Sequence, residues 1–264
     1  PLLSQYSVLE INNYTQNVLL KDTDNMSMAN SLEIRVPFFD HELVSYVLAV
    51  PDKYKFPDKY KKKVCVVGTV LDKKIINYIP KKTIDKKYFS ILVLGGSQGA
   101  EIFGEIVPKT IQNLKNKNFS IRINQQCLKK QENSIAEFYK SENIKYHLFN
   151  FADNILDLIS TADLAISRCG ASTTAELVQT LTPFVAVPYP YSIDNHQYLN
   201  AVHYEKKGCC WVIKQEDLTS KSLSDLLSKI IGDNTKLQNV RQNMKKNDSK
   251  NVYEKIENAI KEYI

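Results

Sequence analysis

The chain has 264 residues, 43% of them hydrophobic and 24% charged, a globular composition whose length allows one large domain or two small ones. No apolar run approaches the roughly 18–20 residues that span a bilayer; the longest, such as Leu43–Val50, are about strand length or two helical turns. Five cysteines without C-x-x-C or metal-like spacing speak against a disulfide framework or a zinc site, and with no secretory leader after Pro1 they read as reduced thiols of a cytoplasmic protein.

Charge and glycine divide the chain in two. Residues 1–57 carry a net −3 and the remainder +9, and all eight glycines lie beyond residue 57. The pentapeptide Pro-Asp-Lys-Tyr-Lys occurs on both sides of that point, starting at Pro51 and at Pro57, so the boundary is placed between residues 57 and 58. The first part reads as a short, mostly helical fragment, with Asp40 capping a helix that buries Leu43, Val44, Val47 and Leu48. The basic excess of the second part does not resemble a nucleic-acid footprint. Only four of 35 basic residues are Arg, and the lysines are scattered. Attraction to an anionic membrane face stays open.

From residue 58 onward strand and helix patterns alternate. Apolar runs predict strands at Val64–Val67, Ser90–Leu94, Ser120–Asn124, Lys145–Phe149, Leu164–Ser167, Phe184–Pro188 and Cys210–Ile213. Helical periodicity fits Ala100–Leu114, Glu132–Ser141, 153–160, 172–180 and 196–207, and the tail from 219 to 264 reads as two or three amphipathic helices. Regular alternation with near-continuous apolar strands predicts an α/β domain, a parallel sheet covered on both faces. Ligands of such sheets bind at the carboxyl ends of the strands.

Three loops fall at that edge. Gly95-Gly96-Ser97-Gln98-Gly99-Ala100 joins a strand to a helix and suits a phosphate, because glycine lets the backbone approach closely and the helix start offers unpaired N–H groups. It matches neither the dinucleotide fingerprint nor the P-loop, and a plain tight turn capped by Ser97 fits as well. Ser167-Arg168-Cys169-Gly170-Ala171-Ser172-Thr173-Thr174-Ala175-Glu176 repeats the arrangement. There Ser172 and Thr173 are expected to cap the helix or donate to a phosphate. Glu176 is placed to accept the two hydroxyls of a ribose, or else simply to complement the helix dipole. Pro188-Tyr189-Pro190-Tyr191-Ser192-Ile193-Asp194-Asn195-His196-Gln197 is a stiffened turn that crowds neutral hydrogen-bonding groups onto a helix start, as sugar hydroxyls require. Together the loops describe a nucleotide-sugar pocket.

The segments LVLGGSQGA, ADLAISRCGASTTAEL and VPYPYSIDNHQYLNA make residues 60–264 closely resemble the carboxy-terminal half of MurG-type glycosyltransferases. The resemblance implies a Rossmann-like parallel sheet domain of GT-B type. It also implies transfer of N-acetylglucosamine from UDP-N-acetylglucosamine to lipid-linked muramoyl-pentapeptide, the step that makes lipid II in peptidoglycan synthesis. By position, it gives Ser97 with Gln98 and Gly99 to the diphosphate, Ala152 to the uracil, and Ala171, Ser172 and Thr173 to the nucleotide and phosphates. Glu176 falls to the ribose, and His196 and Gln197 to the N-acetylglucosamine. It implies no metal or other cofactor, and a cytoplasmic protein peripheral at the inner face of the membrane.

The departures set further expectations. The family's amino-terminal domain, which carries the Gly-Gly-His loop, the acceptor site and the presumed base, has no counterpart here. Where an Asn-Pro-Val-Arg motif belongs, Gly68-Thr69-Val70-Leu71-Asp72 stands, with Lys73 and Lys74 as substitute charges. No catalytic residue is therefore assigned. The stretch KDTDNMSMANSLEIRVPFFDHELVSYVLAVPDKYK in residues 1–57 is similar to glutamine-hydrolysing asparagine synthetase, without its glutaminase cysteine or its pyrophosphate loop. The expectation is a donor-binding half, incomplete as a single chain. The alternatives are a subunit of a two-chain transferase and a non-catalytic fusion remnant, with residual asparagine synthetase activity behind both.

Overall fold

The computed structural model describes residues 69–78, 87–96, 101–192, 195–247 and 252–261. The strand expected at Val64–Val67, the helix after Asp40 and the Ser97-Gln98-Gly99 turn lie outside these residues. The chain divides at Val66/Val67 into two units, and the described residues all belong to the second.

Among the described residues six strands form one sheet: β1 Phe89–Leu94, β2 Ile121–Gln126, β3 Lys145–Phe149, β4 Leu164–Ser167, β5 Phe184–Ala186 and β6 Cys210–Val212. Their order is β3-β2-β1-β4-β5-β6, and every pair is parallel. The side-chain period of two explains why β1 is apolar almost throughout. Ile91 and Val93 enter one hydrophobic core, Leu92 and Leu94 the other.

Helices seal both faces. On the first, α2 (Glu101–Asn116) lays down Phe103, Val107, Ile111 and Leu114, a stripe at helical spacing in which every residue is fully buried. Each such side chain contributes roughly 1.5–3 kcal/mol of transfer free energy. α3 (Lys129–Ser141) adds Ile135 and Tyr139. On the second face stand α4 (Ile155–Thr161), α5 (Ala171–Gln179) and α6 (His196–Lys206), through Ile159, Leu177, Val178 and Ala201. The tail forms three helices: α7 (Ser220–Ile231), α8 (Asn234–Lys246) and α9 (Val252–Lys261). α8 serves both cores, with Leu237 in the first and Val240 and Met244 in the second.

The differences from the expected elements are at boundaries. β2 runs two residues further, to Gln126, because its main chain stays paired with β3 through Phe149. β5 stops at Ala186, two residues before the buried Pro188. A four-residue helix, α1 (Lys73–Ile76), is an addition, with the Asp72 carboxylate accepting from the Lys74 N–H at 2.7 Å. It packs beside α5, and the Tyr253 hydroxyl donates to the Leu71 carbonyl at 2.7 Å to hold it.

Candidate functional site

The strand order turns at β1, whose neighbours are β2 on one side and β4 on the other. The loops leaving β1 and β4 lead to helices on opposite faces, the arrangement that in doubly wound sheets makes a ligand-binding crevice at the carboxyl ends of the strands. The Arg168 N–H donates to the Leu94 carbonyl at 3.1 Å and fixes the floor of that crevice.

On one wall the chain leaves β1 through Gly95 and Gly96, and Gly96 has φ +79°, a value that L side chains rarely adopt. Gln126 holds this turn. Its Oε1 accepts from the Gly95 N–H at 3.0 Å, and its Nε2 donates to the Gly96 and Asn150 carbonyls at 3.3 and 3.2 Å. One amide thus couples the loop after β1 to the loop after β3, where Ala152 is half-buried next to the exposed Phe151. Gln126 is a residue that the sequence reading missed. The signal was three amides in a row, Asn124-Gln125-Gln126, at the end of an inner strand.

The other wall is α5. The sequence led us to expect Ser172 and Thr173 as its caps, and this is corrected: Gly170 is the N-cap, with no side-chain bond. Gly170 has φ −62° and ψ 147°, which starts the helix one residue before Ser172, so both hydroxyls fall inside the first turn. The first turn therefore presents unpaired backbone N–H groups and two hydroxyl residues at the positive end of the helix. Ala171 and Ser172 are exposed and Thr173 is half-buried. One turn in, Glu176 is half-buried, and burial alone raises its pKa above the ordinary carboxylate value. No hydrogen bond or ion pair engages its carboxylate among the described residues. α1 packs beside this helix, and its Lys73 is drawn over the Tyr253 ring at 5.5 Å.

The third loop is stitched to the second. Gln197, on the first turn of α6, accepts through Oε1 from the Cys169 N–H at 3.1 Å and the Tyr189 N–H at 3.0 Å. Its role as expected was to meet a sugar, and its carbonyl oxygen is instead committed to this clamp, leaving its amide nitrogen. His196 is exposed at the helix start, after Asn195 in the left-handed conformation at φ +56°.

Arg168 is the second residue without an assigned role from sequence. It is buried, donates to the Val187 and Pro188 carbonyls at 3.2 Å each and to Gln215 Oε1 at 2.5 Å, and lies over the rings of Phe103 and Tyr189. Burial lowers its pKa, yet it remains a cation beneath the crevice. The neighbouring Cys169 thiol is pushed up to about 12 by burial, which keeps it protonated and unreactive at neutral pH. Among the described residues no cluster of His, Cys, Asp and Glu is placed to hold a metal ion. No described helix is long and apolar enough to cross a membrane.

Residues 90–257 match the glycosyltransferase family 28 C-terminal domain, and residues 2–88 match the asparagine synthase family. The UDP-N-acetylglucosamine--N-acetylmuramyl-(pentapeptide) pyrophosphoryl-undecaprenol N-acetylglucosamine transferase of Pelagibacter ubique is 37% identical over 204 residues, 76% of this chain and 56% of that protein. The protein of the same description from Rickettsia bellii is 33% identical over 258 residues, covering 90% of this chain and 72% of its own length. Among solved structures, MurG of Acinetobacter baumannii superposes with a TM-score of 0.62 at 25% identity, over 71% of this chain and 55% of that one. Os79 of O. sativa in complex with UDP, at 16% identity and a TM-score of 0.55, shares the fold. The chain thus spans little more than half of the Pelagibacter relative and of the Acinetobacter structure.

Proposed function

Because this chain belongs to the glycosyltransferase family 28 C-terminal domain family, we propose that its β1/β4 crevice binds UDP-N-acetylglucosamine and supplies the donor half of an N-acetylglucosaminyl transfer to lipid-linked muramoyl-pentapeptide. The observation that carries this reading is Glu176, a half-buried carboxylate without a partner among the described residues, one turn inside a helix whose start has no side-chain cap. A carboxylate held out of water without a partner costs stability unless a ligand satisfies it. Two adjacent ribose hydroxyls do so, each charge-assisted bond being worth roughly 1.5–3 kcal/mol.

The diphosphate then falls between the Gly95-Gly96 turn and the start of α5, where amides and the Ser172 and Thr173 hydroxyls donate to its oxygens. Ala152, on the loop that Gln126 ties to this turn, presents its main chain to the uracil. Gln197 and His196 border the sugar. In the transfer the anomeric carbon–oxygen bond to the diphosphate breaks. The acceptor hydroxyl oxygen forms the new bond with inversion and gives its proton to a base. Negative charge growing on the diphosphate is met by donors already in place, so little reorganisation accompanies the step. The acceptor and the base come from a surface facing this crevice, in the same polypeptide or in a partner. That partner, like the site itself, lies where a membrane-embedded acceptor is reached from the inner face.

Calorimetric titration of the chain with UDP-N-acetylglucosamine, beside UDP-glucose and with a Glu176→Ala control, tests the reading. Saturable binding that prefers the N-acetyl sugar and weakens at least about tenfold in the variant is expected, a loss of about 1.4 kcal/mol. Equal binding by both proteins, or none at millimolar ligand, overturns it.

A further inference from the structure

On the β5–β6 side of the crevice lies a cavity of about 420 Å3 that the donor reading leaves unused, lined chiefly by Tyr189, Tyr191, Tyr198, Asn195, Lys214 and Glu216. We infer that it is a binding site for a neutral sugar ring, separate from the nucleotide crevice. Its volume is within the range of small-ligand pockets.

Three tyrosines around one cavity are the first argument. Tyr191 is 79% exposed and Tyr189 42%, although large aromatic rings are ordinarily buried. Tyr191 meets Tyr189 edge-on, with centroids 5.6 Å apart and planes at 75°, which fixes a corner. Ring faces carry the negative lobe of the aromatic quadrupole, and the C–H face of a pyranose is its complement. Cations hold the rings in place: the Arg168 guanidinium lies 5.3 Å from the Tyr189 centroid, and Lys214 Nζ lies 5.8 Å from that of Tyr198.

Charge is the second argument. Among the described residues the charged side chains lining the cavity are Lys214 and Glu216, paired at 3.3 Å, so their charges offset each other and favour a neutral ligand over a phosphate. What remains is a rim of neutral amides, phenol hydroxyls and one carboxylate oxygen edge, the groups that sugar hydroxyls pair with.

The loop that carries these tyrosines is also preorganised. Pro188 and Pro190 restrict the loop, the Ser192 N–H donates to the Tyr189 carbonyl at 3.2 Å, the Asn195 N–H donates to the Ser192 carbonyl at 2.9 Å, and Gln197 pins the Tyr189 N–H. A corner held this way loses little entropy when a ligand arrives. Gln197 is shared with the donor site, and the tyrosines, the Lys214–Glu216 pair and the proline-restricted turn stand independently of the donor reading.

The test is saturation-transfer NMR of the full chain with N,N′-diacetylchitobiose, a neutral disaccharide, recorded with and without saturating UDP. Transfer to the ring C–H protons should persist with UDP present and in Glu176→Ala. It should fall at least about tenfold in Tyr191→Ala and in Tyr198→Ala. Tyr191 is exposed, so its variant should keep an unchanged thermal midpoint and report on the site alone. Absence of transfer at tens of millimolar sugar overturns the inference, as does transfer that UDP or Glu176→Ala abolishes. So too does Tyr191-dependent pelleting with phosphatidylglycerol vesicles in the absence of sugar transfer, which marks a membrane contact instead. A UDP titration on the same sample reports separately on the donor crevice.

Discussion

α7 opens with a reciprocal cap: the Thr219 hydroxyl accepts from the Ser222 N–H, and the Ser222 hydroxyl accepts from the Thr219 N–H. α5, which opens at the carboxyl end of β4, has no side-chain cap. The contrast extends across the domain. α1 and α8 are capped too, by Asp72 and Asp233. α3, α4 and α6 follow β2, β3 and β5, and none of them has a side-chain cap. A cap contributes about 1 kcal/mol, so a row of open starts on one edge of the sheet is stability left unclaimed where donors face a ligand. The difference separates helix starts that satisfy their own N–H groups from starts that leave them open.

The largest effect that bears on this comparison concerns Arg168, which ties the exits of β4, β5 and β6 together. Arg168→Met removes three hydrogen bonds from a buried cation, and about 2–4 kcal/mol of stability should be lost in urea unfolding. A change within a few tenths of a kcal/mol would mean that the open edge needs no such brace. Next comes the pH dependence of Glu176. Its raised pKa means that the folded chain holds this proton more tightly than the unfolded chain does. Free-protein stability should therefore fall as pH rises from the ordinary carboxylate value through the raised one. UDP affinity should run the other way, growing as the carboxylate ionises. Melting and titration series across pH, with Glu176→Gln as the flat control, check both slopes.

Smaller effects sharpen the contrast from each side. Thr219→Ala should cost about 1 kcal/mol of stability, by urea unfolding, and leave UDP affinity unchanged. Gly170→Ser is its mirror. A side chain at Gly170 meets nothing within 4 Å, so serine can cap α5 and stabilise the fold by a few tenths of a kcal/mol. The same bond takes an N–H from the crevice and should weaken UDP binding, measured by calorimetry. If it strengthened binding, the open start would have no functional meaning.

The layers of this domain were legible because apolar period decides them. The period of two in Phe89–Leu94 and the stripe from Phe103 to Leu114 each have one burial solution. The three loops were legible because glycine, proline and small hydroxyl residues stand where strands end. What escaped was the stitching. Gln126, Gln197 and Arg168 act through carbonyls and amides 8 to 47 residues away along the chain, and local sequence does not say which way a long polar side chain turns. The cap on α5 went to Gly170 for a related reason. A glycine and a serine two residues apart both suit a helix start, and the main chain decides between them.

The uncapped start of α5 and the glycine turn beside β1 should form one ligand site. A 1H–15N correlation titration of the labelled chain with UDP tests it most directly. The amides of Gly95, Gly96 and Cys169–Thr173 should shift together and saturate with one affinity, while those of Lys221–Leu223 and Thr235, at the capped starts, stay fixed. Shifts spread evenly over both sets, or confined to the capped helices, would contradict it.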